Sequence, residues 1–284
     1  MSISVSDELQ LFAQEIQRFL SPNILRDFAR DVGFVQRTSK YQAKDLVALC
    51  VWMSQNVATT SLTQLSSCLE ASTEVLISPE GLNQRFNKAA VQFLQHLLAE
   101  LLNQKLTSSM PISSPYTSIF KRIRILDPTA FQLPDPFSFV YPGAGGCSHT
   151  AGVKIQLEYD LLSGQFLHIH HCKKIKRERL ECHLYGQLIA ILLCSSTMFQ
   201  MRQLLLMKKK RELSEYKAIY VIKDYFLLLF QAIQKDTQEL SKILIRLFNL
   251  LQQNGRKSHR YEKKTVFDIL GVVYNCTMSD NQAA

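Results

Sequence analysis

The chain has 284 residues, 46% of them hydrophobic, which is enough for two ordinary domains with a buried core. Ten glycines and eight prolines are few for this length and favour a helix-rich fold over a β-sandwich. Seven cysteines without a CxxC pair exclude a secreted disulfide framework. The net charge of +9 suits a polyanionic partner.

The first hundred residues show helical periodicity. An apolar stripe predicts a helix over residues 7–20, and its early acidic residues argue against a signal peptide, so we expect a cytoplasmic protein. Further helices are predicted from Ser21-Pro22 to Gly33, over about 43–57 and 61–69, from Ser78-Pro79, and across the run from Val91 to Leu102. Residues 1–107 are predicted to form a helical N-terminal domain, and 108–118 a linker.

Strand patterns follow the linker. The run Arg122–Leu126 stops at Asp127 and Pro128, which predicts a buried strand that delivers a carboxylate to a sheet edge. Val153–Tyr159 alternates as a half-buried strand, and Gln165–His170 returns as its hairpin partner. From Cys172 the chain is predicted to be helical to about residue 253, with Gly255 ending the last helix.

Leu184 to Met201 has no charged residue, so it meets the length rule for a membrane span. Five polar side chains interrupt this stretch, and basic residues flank both of its ends. We therefore interpret it as a buried helix and expect no membrane partner.

Several stretches resemble bacterial insertion-sequence transposases of the DDE type, in the Bacillus-type branch of the insertion-sequence-four family. Leu126–Pro134 is similar to the first catalytic motif of that family, and Ser78–Phe86 to its N-terminal helix signature. The Gly143–Gly146 loop with Lys154–Asp160 is similar to its second strand. His183–Leu188 and Lys208–Leu213 are similar to its C-terminal helices, so the resemblance covers nearly the whole chain.

The resemblance implies an α+β fold in which residues 119–284 form a ribonuclease-H-like core with C-terminal helices. In such a core three carboxylates hold two Mg²⁺ ions about 4 Å apart for attack on phosphate. Asp127 corresponds to the first of these acids and is the implied metal ligand. The implied partner is DNA, namely the terminal inverted repeats of the transposon. The candidate protein partners are a second copy of this chain, in a homodimer, or a full-length transposase.

The sequence departs from the family after the hairpin. No tyrosine satisfies the third-acid motif Y-x2-R-x3-E-x6-K, and the nearest approximation is Tyr261, Lys264, Asp268 and Asn275. No predicted strand follows His170 to carry a second acid. We infer an internal deletion before Cys172 that leaves a truncated core of about three strands packed on the C-terminal helices. The resulting transposase is expected to be catalytically defective.

The acidic residues that could replace the missing acids occupy ordinary structural positions. Asp160 is a turn residue and Glu158 is expected to be a solvated strand residue. Glu178, Glu181 and Asp224 are expected on helices, without the companion residues of the motif. Two alternatives stay open: a partner chain or a rearranged glutamate completes the site, or the protein inhibits a full-length transposase by binding transposon ends or dimerising with it.

The basic residues are concentrated. Residues 171–217 carry eleven Lys or Arg against four Glu, a local charge of +7. Candidate phosphate contacts are Lys173, Lys174, Lys176, Arg177, Arg179, Lys208, Lys209, Lys210 and Arg211, with Arg85 from the N-terminal helices. Each could equally be a solvated or capping side chain.

A zinc site is a further alternative, with His168, His170, His171, Cys172, Cys182 and His183 as candidate ligands. These residues lack the paired spacing of CxxC or HExxH motifs. We interpret them as polar residues where the strand joins the following helix.

Overall fold

A computed structural model describes residues 4–36, 40–53, 57–58, 60–103, 124–133, 138, 151–160, 165–171, 178–209 and 212–255. These residues are mostly helical and include one small sheet. The N-terminal elements are α1 (Val5–Leu20), α2 (Pro22–Asp31), α3 (Ala43–Val47), a π-helical turn (Ala48–Trp52), α4 (Leu62–Thr73), α5 (Pro79–Arg85) and α6 (Lys88–Asn103). The remainder are β1 (Arg124–Leu133), β2 (Ala151–Asp160), β3 (Gln165–His171), α7 (Glu178–Lys209), α8 (Glu215–Ile233) and α9 (Thr237–Asn254).

Local capping explains where most helices begin. The side chains of Ser61 and Ser78 accept hydrogen bonds from the backbone of the first turns of α4 and α5. Proline occupies the first turn of α2 and α5, where its missing N–H costs nothing. Gly255 lies at the end of α9, as its position in the sequence predicted.

The helices from both ends of the chain share one core. α1 packs along α9, α6 along α7, and α8 against α9. The Gln17 side chain donates to the Ile233 carbonyl over 2.9 Å, which ties α1 to the end of α8. The division of the chain into domains of residues 1–107 and 119–284 stays a prediction. The described helices of the first range pack against those of the second in one hydrophobic core.

The helix predicted over residues 43–57 is shorter than expected. It continues from α3 into the π-helical turn and ends at Trp52, with the Met53 N–H bonded to the Ala48 carbonyl. All five residues of this turn are buried. The Trp52 ring lies 5.2 Å from that of Phe226 and 6.3 Å from that of Phe230, so the wider turn is held by packing on α8.

The other face of the π-helical turn contacts α7 at Gly186. A β-carbon at Gly186 would lie 2.5 Å from the Cys50 carbonyl oxygen. Only glycine permits this approach of the two backbones, so the sequence His183–Leu188 has a packing role as well as its family resemblance.

α7 is the 32-residue helix that contains the uncharged stretch 184–201. By length and composition it could cross a membrane, but 78% of its most apolar window is buried inside the protein. This burial agrees with the interpretation of the stretch as a core helix.

The sheet is antiparallel in the order β1-β2-β3, which gives the three strands that were expected. The prediction that the first strand stops at Asp127 was wrong, because β1 continues through Asp127 and Pro128 to Leu133. Among the described strands β1 is an outer one, where proline is tolerated because one side of the strand needs no hydrogen-bond donor. Within the described part of the chain, the most extensive helical contact of the sheet is between β3 and α6, not with the C-terminal helices as expected. Its ribonuclease-H-like character stays a prediction.

Gly186→Ala should destabilise the fold by about 2–3 kcal/mol, because the added methyl group meets backbone that cannot rotate away. Urea denaturation followed by circular dichroism measures this change. Gln187→Ala, one residue along at a half-buried position of the same helix, is the matched control and should change stability by less than about 0.5 kcal/mol. Equal stability of the two variants would contradict the close contact.

Candidate functional site

Asp127 lies in the middle of β1, opposite Leu157 of β2. On the same strands Leu126 pairs with Glu158 and Arg124 with Asp160. Because residues alternate between the faces of a strand, this register assigns Asp127 to one face of the sheet and both Glu158 and Asp160 to the other. The two acids of β2 therefore do not share the face of the sheet to which Asp127 belongs.

Glu158 is not the solvated residue that the alternating pattern predicted. It is only 9% exposed, and its carboxylate lies 2.9 Å from the guanidinium of Arg124. Arg124 stands two residues from the position opposite Glu158, a diagonal pairing within reach of a long side chain. This ion pair gives the Glu158 carboxylate a structural role on the face away from Asp127.

The described residues do not fit a centre for two Mg²⁺ ions. Such a centre needs several carboxylates that converge on the metals. Within the described part of the chain no group of three or more His, Cys, Asp or Glu is placed to hold a metal ion. Glu178 and Glu181 lie in the first turn of α7, and Asp224 lies exposed on α8.

Arg179 is directed into the protein. Its guanidinium donates to the Val57 carbonyl over 2.7 Å and to the Thr60 carbonyl, and it lies 5.9 Å from the centre of the Phe86 ring. Partial burial lowers the pKa of the group. These contacts join the start of α7 to the segment before α4 and to the end of α5, which is a structural role that the basic run in the sequence concealed.

His183 lies one turn after Arg179 on α7 and is buried. Burial, with a smaller contribution from the Arg179 charge, lowers the pKa of its imidazole to about 4. Burial likewise raises the pKa of the neighbouring Cys182 thiol. Both side chains behave as neutral core groups. Of the other candidate zinc ligands, His168, His170 and His171 belong to β3, and Cys172 lies outside the described residues.

Arg85 ends α5 and lies between two cavities. Its guanidinium is 5.6 Å from the centre of the Tyr41 ring. The larger cavity, of about 490 Å³, is lined by Gly33, Phe34, Val35, Gln36, Tyr41, Arg85 and Asn87. The smaller, of about 350 Å³, is lined by Ile77, Gly81, Gln84 and Arg85. Arg85 is thus a half-buried cation at an accessible cleft.

Lys208 and Lys209 are exposed on the last turn of α7. Arg202, two turns earlier, is buried and pairs with Glu215 and, at 3.9 Å, with Glu212. This pairing fixes the start of α8 against α7, and it was not predicted because Arg202 looks like another member of the basic run. The other candidate contacts, Lys173, Lys174, Lys176, Arg177, Lys210 and Arg211, lie outside the described residues.

The relatives found by comparison with known proteins are transposases for insertion sequence elements. The chain is 36% identical over 469 aligned positions to the transposase for insertion sequence element IS231E of Bacillus thuringiensis subsp. finitimus, with 98% of each chain covered. It is 35% identical over 466 positions to that for IS231C of B. thuringiensis subsp. berliner, covering 96% of this chain and 98% of the relative. The transposase for IS1151 of Clostridium perfringens is 27% identical over 174 positions, 61% of this chain and 37% of the relative. No family model and no solved structure matches.

Arg179→Ala should cost about 2 kcal/mol of stability, because it leaves the carbonyls of Val57 and Thr60 without their donor. Lys208→Ala, at an exposed position of the same helix, should change stability by less than about 0.5 kcal/mol. Chemical denaturation of both variants measures the difference. A neutral Arg179→Ala would show that the inward contacts contribute nothing.

Acidification should weaken the fold through His183. The unfolded imidazole takes up a proton near its ordinary pKa of 6.5, whereas the folded one does so only near 4. Stability is therefore complete above pH 6.5 and falls as the pH drops towards 4, by up to about 3 kcal/mol. His183→Gln should remove this contribution, which is measured as a smaller difference between the urea midpoints at pH 7 and pH 5. An unchanged difference would contradict the neutral buried state.

Proposed function

Because this chain belongs to the insertion-sequence transposases represented by the IS231 elements, we propose that it binds transposon-end DNA without its own cleavage and strand-transfer activity. The single observation that carries this proposal is the placement of Asp127. It belongs to a face of the sheet that neither Glu158 nor Asp160 shares. One carboxylate does not assemble the paired-metal centre on which DDE chemistry depends.

The lengths of the alignments support an internal deletion. The match to the IS231E transposase spans 469 positions, yet 98% of this chain is only about 278 residues. About 190 aligned positions therefore have no counterpart in this chain. The segments that resemble the family on both sides of the hairpin support a position for this deletion between β3 and α7, where the second and third acids would lie.

The helical core supports retention of a folded DNA-binding body. α1 and α6 pack on α9 and α7, so the elements before and after the proposed deletion stabilise one another directly. Loss of the intervening catalytic segment removes chemistry but leaves this core closed.

The proposed DNA contacts are cations at accessible positions. Arg85 lies at its cleft, and Lys208 and Lys209 lie exposed at the end of α7. The basic residues 173, 174, 176, 177, 210 and 211 extend this set. Arg179 is left out, because its guanidinium is held by backbone carbonyls.

A second candidate function is inhibition of a full-length transposase. The shared core of N-terminal and C-terminal helices favours it, because a chain that keeps this body can occupy transposon ends or form a mixed dimer. Co-expression with an active IS231 transposase tests this inhibition, and the transposition frequency should fall. If the cause is occupation of the transposon ends, replacing Arg85, Lys208 and Lys209 by alanine should restore the frequency.

Cleavage of a terminal-inverted-repeat duplex with Mg²⁺ should be absent for this chain, although a gel shift shows binding at low salt. A chimera that receives the additional segment of the IS231E transposase between β3 and α7 should gain cleavage, and Asp127→Ala in the chimera should abolish it. The matched control is the chimera with Asp160→Ala, which should cleave normally because Asp160 belongs to the other face of the sheet.

Two results would overturn the proposal. Cleavage by the 284-residue chain itself, lost on Asp127→Ala, would show that a partner chain or another carboxylate completes the site. The lack of any gel shift with inverted-repeat DNA at low salt would reject DNA binding.

A further inference from the structure

Exposed apolar side chains are concentrated at the end of α7 and along α8. Among the described residues six large hydrophobic side chains are exposed, and four of them lie on these two helices: Met207, Tyr216, Tyr220 and Leu227. Tyr216 is 71% exposed and Tyr220 56%. Single exposed hydrophobic residues are ordinary, but a group confined to one region indicates a binding surface.

Three of these residues form one stripe along α8. Tyr216, Tyr220, Lys223 and Leu227 follow the spacing of a single helical face, and Lys223 is exposed with them. We call these four residues the α8 stripe. The rings of Tyr216 and Tyr220 contact each other edge to face, with centroids 4.9 Å apart and planes at 62°. The two rings thus contact each other at a position that the described residues leave exposed.

Positive charge lies on the α8 stripe and close to it along the chain. Lys208 and Lys209 end α7, Lys217 lies in the first turn of α8, and Lys223 belongs to the stripe itself. The nearby carboxylates of Glu212 and Glu215 are paired with the buried Arg202, which also fixes α8 against α7. Asp224 is the remaining exposed acid beside the stripe among the described residues of α8. An excess of lysines over exposed carboxylates, next to two exposed aromatic rings, suits a polyanionic partner with stacking groups better than an apolar protein surface.

The geometry points to the α8 stripe as a stacking platform for unpaired nucleotides at a DNA end, an inference that rests on the proposed binding of transposon-end DNA. The lysines of α7 and α8 contact the phosphates, and the two tyrosine rings stack with bases. Aromatic side chains bind any unstacked base through its π-face, whereas bases inside a duplex are already stacked on their neighbours. The platform therefore selects frayed or single-stranded ends over blunt duplex.

The test compares a blunt terminal-inverted-repeat duplex with the same duplex carrying about four unpaired nucleotides at one end, by fluorescence anisotropy. The protein should bind the second probe roughly tenfold more tightly. Tyr216→Ala with Tyr220→Ala should abolish this preference, while Tyr216→Phe with Tyr220→Phe should keep it because the rings remain. Leu76→Ala, at an 82% exposed side chain outside the α8 stripe, is the matched control and should change neither affinity.

The salt dependence of DNA affinity distinguishes base stacking by the tyrosines from phosphate contacts by the lysines. Loss of the tyrosine rings should weaken binding without changing the slope of log affinity against log salt. Lys208→Ala with Lys209→Ala should instead lower that slope by about two, because about one counterion is released for each phosphate contacted.

Three outcomes would overturn the inference. If the chain binds both probes equally, or if the alanine variant keeps its preference, the platform is wrong while DNA binding stands. If the alanine variant changes the molar mass in light scattering but not DNA affinity, the stripe is a protein interface. If the unmodified chain binds neither probe at low salt, the proposed function and this inference both fail.

Discussion

The close approach of the π-helical turn to α7 is the constraint on which the rest of the structure depends. Gly186 lets the backbone at Cys50 reach α7, and Trp52 on the same turn packs on Phe226 and Phe230 of α8. One short buried turn from the N-terminal half thereby positions two helices from the C-terminal half. The cavities at Arg85, the inward contacts of Arg179 and the exposed face of α8 all lie on the body that this packing closes.

The starts of the helices could be predicted from neighbouring residues in the sequence. The exact ends of some elements could not, because they depend on packing against distant residues. The starts at Ser21-Pro22 and Ser78-Pro79 depend on capping and on the fixed φ of proline, so a few residues suffice to find them. The end of the third helix at Trp52 depends on distant aromatic residues of α8. The continuation of β1 beyond Pro128 depends on which strands flank it, which adjacent residues do not reveal.

The candidate site shows a similar division. The motif around Asp127 identifies an acid, but only the register shows which other acids share its face of the sheet. Arg179, Arg202 and Lys208 look equivalent as members of one basic run. The structure uses the first two for backbone and carboxylate contacts inside the protein and leaves Lys208 exposed. Charge in a sequence therefore identifies a basic region, whereas burial decides which of its cations reach the surface.

The packing of α1 against α9 has a consequence for synthesis. The apolar face of α1, with Leu9, Phe12 and Ile16, leaves the ribosome well before its neighbour α9, which begins only at Thr237. At a synthesis rate of about 5–20 residues per second, roughly ten to forty seconds pass between synthesis of α1 and synthesis of α9. During that interval the apolar face of α1 is exposed to chaperones.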